Sequence, residues 1–189
     1  MVRILLSFFI LVNAVLAFDS SVVGKKLKDF TSIDENGNVV KASRVIDHKP
    51  AVIIFFAIGD KPGTFDFMPA MNSLYEKYRD RVVFMAVLLS RSNPKEVKEL
   101  KQMLPLKIPV YLGYRDAIKG YNIRKIDVPL ILIVDDNQTI RHIIARPEST
   151  MEEVYPPDSS ITQKDTQEGR IKQSIELIDR YIKQLLKEQ

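Results

Sequence analysis

The chain has 189 residues, with 28 Lys and Arg against 24 Asp and Glu, two His and no cysteine. Without a thiolate, thiol-disulfide exchange, peroxide reduction by a cysteine nucleophile and structural disulfides are excluded for the polypeptide acting alone. A formal net charge of +4 is too weak and dispersed to argue for nucleic acid, and two histidines give no cluster to hold a metal.

The first residues, Met1, Val2 and Arg3, make a short positive start, and residues 4–17 are apolar except for Ser7 and Asn13. That is a secretory signal pattern over 1–17, with cleavage expected after Ala17, which would place the mature chain in the periplasm or outside the cell. The competing reading is an uncleaved anchor, although the run falls short of the roughly 20 residues that a spanning helix wants. After cleavage no stable membrane span is expected.

The remainder is expected to form one domain, with a core over 18–144, a polar loop over 145–169 and a closing helix over 170–189 that completes the same unit. Residues 22–30 read as a strand, followed by a hairpin turn at Asn36-Gly37 and a second short strand. Residues 42–50 read as a short helical or loop passage. AVIIFFA at 51–57 is an unbroken apolar run, which suits a strand covered on both faces. Gly59 to Gly63 break it, and a helix is then expected with Phe67, Met68, Met71, Leu74, Tyr75 and Tyr78 facing the core and Pro69 near its start.

A second apolar strand over 81–89 makes a βαβ unit with the first, so the sheet is expected to be partly parallel. Ser92 or Asn93 would cap a helix starting at Pro94, with Val97, Leu100, Met103 and Leu104 on its inner side. A short strand over 108–112 and a small helix over 115–121 follow. From Pro129 an apolar strand, a turn at Asp135 to Gln138 and a returning strand from Thr139 predict an antiparallel hairpin. The stretch 145–169 is polar, with Pro147, Pro156 and Pro157, and reads as disorder or a surface wrap, with a functional lid as the rarer alternative. Ile171, Ile175, Ile178, Ile182 and Leu185 mark one face of the last helix, expected to pack on the sheet.

The stretch FFAIGDKPG at 55–63, the hairpin residues Gly24, Asp29, Phe30, Asp34 and Gly37, and the Val128-Pro129 strand opening together resemble the thioredoxin superfamily. The redoxin branch is the nearest, which holds extracytoplasmic thiol-disulfide oxidoreductases and peroxiredoxins. The resemblance implies an α/β fold of three α/β/α layers, with a mixed central sheet, an N-terminal β-hairpin and a long C-terminal helix. Anchored on Pro62, it puts Asp60 and Gly63 where the two redox cysteines would stand. Anchored on Pro69, it puts Lys61 and Thr64 there. Pro129 matches the family's cis-proline, which lies against the active-site loop, although Leu130 stands where relatives carry Thr or a small residue.

Other chemistry finds little support. Asp135-Asp136 at a hairpin tip read as turn residues, and His142 as an ordinary surface or half-buried side chain. Asp60 and Lys61 are the candidates for a replacement acid or base, and solvated turn charges explain them better. No catalytic residue, metal ligand or cofactor is therefore assigned. The expected function is a non-redox accessory factor of the cell envelope. It would bind a protein or extended peptide in a groove between Asp60, Lys61, Pro62, Gly63 and Thr64 on one side and Val128 and Pro129 on the other. The alternatives are an oxidoreductase or antioxidant partner that relies on other residues or on a partner's thiols, and a structural subunit of an envelope complex.

Overall fold

Two short antiparallel strands, β1 (Thr31–Ile33) and β2 (Val39–Lys41), open the fold in a computed structural model that describes residues 22–58, 62–113, 116–121, 123, 128–147 and 167–187. The expected signal segment and most of the 145–169 connection lie outside the described residues. The turn between the strands is made by Asp34, whose Oδ1 accepts from Asn36 N at 2.9 Å and Asn38 N at 2.8 Å. Gly37 supplies the left-handed step at φ +89° that a side chain resists. The Asp-Phe pair before β1 has two separate jobs. Asp29 accepts from the backbone N and Oγ of Ser43, both at 2.9 Å, at the start of α1 (Ala42–Ile46). Phe30 is buried against Phe55, with ring centroids 5.6 Å apart.

The expected strand over 22–30 is a correction. That segment forms no strand of its own; it runs beside the tip of a later hairpin, with Lys26 bridged to Thr139 and Leu27 N donating to Gln138 O at 2.7 Å. The apolar residues Leu27 and Phe30 belong to the core, so burial rather than ladder pairing explains the pattern.

At the centre stands β3 (Ala51–Phe56), parallel to β4 (Val83–Leu88) and antiparallel to β6 (Leu130–Val134). With β5 (Val110–Leu112) and β7 (Ile140–Ala145), the seven-stranded sheet has the order β2-β1-β5-β4-β3-β6-β7. Every β3 side chain is buried, and they alternate between two cores. Val52, Ile54 and Phe56 face a core shared with α2 (Pro62–Ala70), α3 (Asn72–Tyr78), α4 (Pro94–Met103) and α6 (Gln167–Leu185). Ala51, Ile53 and Phe55 face a second core with α1, α5 (Asp116–Tyr121) and residues 27–30. A strand with apolar residues on both sides thus follows from helices on both faces. The result is the three-layer arrangement that the resemblance implies.

Two further expectations are corrected. The helix after the loop is interrupted at Met71, and Pro69 lies near the end of α2 instead of near its start. A proline there lacks the N–H owed to the preceding turn and its ring crowds that turn's carbonyl, which accounts for the break. Phe67, Met68 and Met71 remain fully buried, so the core-facing stripe survives the interruption. Met103, expected inside, is 71% exposed, whereas Val97, Leu100 and Leu104 pack inward. The start of α4 is fixed by a reciprocal cap: Asn93 Oδ1 accepts from Lys95 N and Glu96 N, while Glu96 Oε2 accepts from Asn93 N.

Candidate functional site

The site lies where β3 and β6 end side by side. The last antiparallel pair between them is Phe55 with Leu130, so the same register sets Pro129 beside Phe56 and Val128 beside Ala57. The Val128-Pro129 peptide bond is cis, as the resemblance implies. Val128 is 5% exposed and its side chain joins the second core, with Tyr121, Ile123 and Leu27 in the same cluster. The Pro129 carbonyl accepts from Arg146 N at 2.8 Å, where β7 has just ended and Arg146 takes a left-handed φ of +49°.

On the β3 side, Leu89 N donates to Phe56 O at 2.9 Å and Ile58 N donates to Ser90 Oγ at 3.2 Å. The loop is thereby fastened to the end of β4 at its first turn. Ser90 was not singled out from the sequence, and nothing local signals it, because its partner is 32 residues away. Pro62 is the first residue of α2, and Gly63 and Thr64 follow within the first helical turn. Proline suits that position, since its missing N–H is one of the unpaired donors of a helix start. Asp60 and Lys61 lie outside the described residues. Of the sequence-derived groove, the structure therefore brings the cis Val128-Pro129 bond to the end of β3, from which the chain leads into Pro62, Gly63 and Thr64.

Ionisable chemistry is sparse. Among the described residues no group of three His, Cys, Asp or Glu is placed to hold a metal. His142 stacks on Tyr181 of α6, with ring centroids 3.6 Å apart and nearly parallel planes. His48 is an exposed turn residue with φ +57°. Asp135 acts as a turn residue, accepting from Thr139 N and from Arg141 Nε, both at 2.7 Å. Tyr121, near the site on α5, has its phenol pushed above the ordinary range by burial; the hydroxyl accepts from Lys28 N at 2.7 Å and donates to Lys28 O at 3.0 Å. It is a clamp on the N-terminal segment, without a proton to offer at neutral pH.

A three-layer α/β/α arrangement with a cis-proline beside the end of the central strand defines a thioredoxin-like protein. Residues 23–143 match the family model described as the AhpC/TSA family, and the chain belongs to that family. Among solved structures it is similar to peroxidoxin BcpB from Mycobacterium tuberculosis, with TM-score 0.58 and 10% identity over 84% of this chain and 96% of that one. It is also similar to a thiol:disulfide interchange protein from Bacteroides sp., with TM-score 0.56 and 21% identity over 64% of this chain and 80% of that one. The thioredoxin domain of a thiol-disulfide oxidoreductase from Bacteroides vulgatus gives TM-score 0.56 and 20% identity over 64% and 86% of the two chains. At these identities the likeness carries the fold alone. No match was found among curated proteins.

Proposed function

We propose that this is an exported, non-redox binding protein of the cell envelope that holds a protein or extended peptide against the Val128-Pro129 edge and the Asp60 to Thr64 loop. The observation that carries the reading is a family scaffold with its cis-proline beside the end of β3 and no sulfur nucleophile anywhere in the chain. Strand-like hydrogen bonding to backbone groups needs no thiol, and the end of a sheet next to a loop offers it. The N-terminal pattern over 1–17 supports export, and among the described residues no helix is long and apolar enough to cross a membrane. No catalytic residue, metal or cofactor enters this reading.

The test is capture of partners from an extracytoplasmic extract by the wild type and by an Asp60→Arg, Thr64→Arg variant whose circular dichroism and melting are unchanged. Loss of captured species in the variant supports the groove; equal capture excludes it. Insulin reduction and peroxide consumption by the pure protein form the second arm. A rate above blank in either overturns the non-redox reading in favour of an enzyme that works without cysteine.

A further inference from the structure

The chain has six methionines and neither cysteine nor tryptophan, so thioethers are its most readily oxidised side chains. Four of the six are among the described residues, and three of these are sealed in the core. Met68 in α2, Met71 between α2 and α3, and Met85 in β4 are each 0% exposed. Met103 is 71% exposed. An oxidant arriving from solvent therefore meets one of these four sulfurs and is screened from the other three.

The end of α4 accounts for the difference. Met103 is the last residue of that helix, and the helix closes on the next one, with Leu104 N donating to Leu100 O at 2.7 Å. Leu104 and Leu106 then turn into the core, which leaves Met103 outside both core clusters. The surrounding frame is held by contacts that do not use its side chain: Glu35 Oε1 accepts from Lys101 Nζ and from Val110 N, both at 2.7 Å. A sulfoxide formed on a buried thioether would set a polar oxygen among apolar neighbours, whereas at Met103 the new oxygen is met by water. Among the described methionines, the position that an oxidant reaches is thus also the one where the oxidised form is tolerated.

We infer that Met103 is a reversible oxidation site that takes one oxygen atom from a hydroperoxide. The Met103 sulfur donates an electron pair to the terminal peroxide oxygen, and an S–O bond forms as the O–O bond breaks. The proton on the transferred oxygen passes to the departing alkoxide, or to hydroxide where the oxidant is hydrogen peroxide. Sulfur loses two electrons, the hydroperoxide is reduced to an alcohol or to water, and a methionine sulfoxide reductase restores the thioether. Uptake stops at one oxygen atom on this sulfur, which separates it from the continuing consumption that marks an enzyme. The site is independent of the Val128-Pro129 groove and of the peptide-binding reading.

The experiment treats the full mature chain, in a Met151→Leu background, with hydrogen peroxide and follows each methionine by peptide mapping, in which Met103 falls on the tryptic peptide over 102–107. Met103 is expected to gain its oxygen at least about tenfold faster than Met68, Met71 and Met85, which react only when the core opens. In urea the four should react at similar rates. The oxidised protein should keep its melting temperature and return to its original mass on incubation with methionine sulfoxide reductases of both epimer specificities. Met103→Leu, a change at an exposed position, should fold and lose the fast uptake. Comparable rates at Met103 and the three buried sulfurs in the folded chain, or fast uptake that survives Met103→Leu, would overturn the assignment of the site. A lowered melting temperature, or a sulfoxide that the reductases leave in place, would overturn its reversibility.

Discussion

Replacing Asp179 tests how the closing helix is held, because one carboxylate there gathers three donors. Its oxygens accept from Lys77 Nζ at 2.7 Å, Tyr78 Oη at 2.7 Å and Lys183 Nζ at 2.6 Å, which joins α6 to α3. The two ammonium groups are about half exposed, at 49% and 54%, so each pair contributes only about 0–1 kcal/mol. Tyr78 is buried, and a phenol left without an acceptor costs about 1–3 kcal/mol. Asp179→Ala is therefore expected to lose ~2–3 kcal/mol in urea unfolding, with most of it from Tyr78. Desolvation alone would raise the Asp179 pKa, but donation from Lys183, Lys77 and Tyr78 outweighs it and holds the group at about 2. A folded value below the unfolded value of roughly 3.9 stabilises the protein above that pH, and the gain is lost as pH falls toward about 2. The stability gap between wild type and Asp179→Asn should thus stay flat from neutral pH to about 5 and close between about 4 and 2. Asp34 and Glu76, also held low by their donors, are present in both proteins and cancel in the difference. A gap that does not change with pH, or an Asp179→Ala variant within ~0.5 kcal/mol of wild type, would refute this account.

Installing cysteines at Asp60 and Gly63 together should confer insulin reduction in the presence of dithiothreitol, with neither single variant active; a folded but inert double variant would show that the loop no longer presents the family's geometry. Gly113→Ala would set a Cβ 2.4 Å from Val87 Cγ1, inside the core, and should cost about 1–3 kcal/mol by thermal or urea unfolding. Adding Val87→Ala should recover part of that loss if the clash is its cause. Tyr121→Phe deletes both bonds to Lys28 and should lower stability by ~1–2 kcal/mol, with amide exchange at residues 24–30 rising more than in β3.

The centre of the molecule was legible because its residues have one use. A run such as that over β3 has no polar position that a solvent-facing strand would need, and α6 repeats its apolar residues every three or four places. The hairpin turn was legible from Asn36-Gly37, and the start of α4 from Pro94 with Ser92 or Asn93 as cap, because both are local chemistry; Asn93 proves to be the one that caps it. What escaped depends on distant partners. Residues 22–30 read as a strand before the hairpin turn, yet they are drawn to the tip of the β6-β7 hairpin, more than a hundred residues away. Met103 fits the α4 stripe by spacing alone, but the helix ends there and its side chain passes beyond the core. Pro69 looked like a helix opener because the start of α2 carries no local signal besides Pro62.

The β3-β6 register also limits what the proposed groove could read. In the groove the Pro129 carbonyl is already committed to Arg146 N and the Val128 side chain is committed to the core. Under the proposed reading, recognition there would fall to backbone pairing and to the loop side chains, which suits an extended chain and reads sequence weakly. The absence of cysteine excludes thiol exchange by this chain alone, but it leaves untouched the β3-β6 register that brings the cis Val128-Pro129 bond to the end of β3.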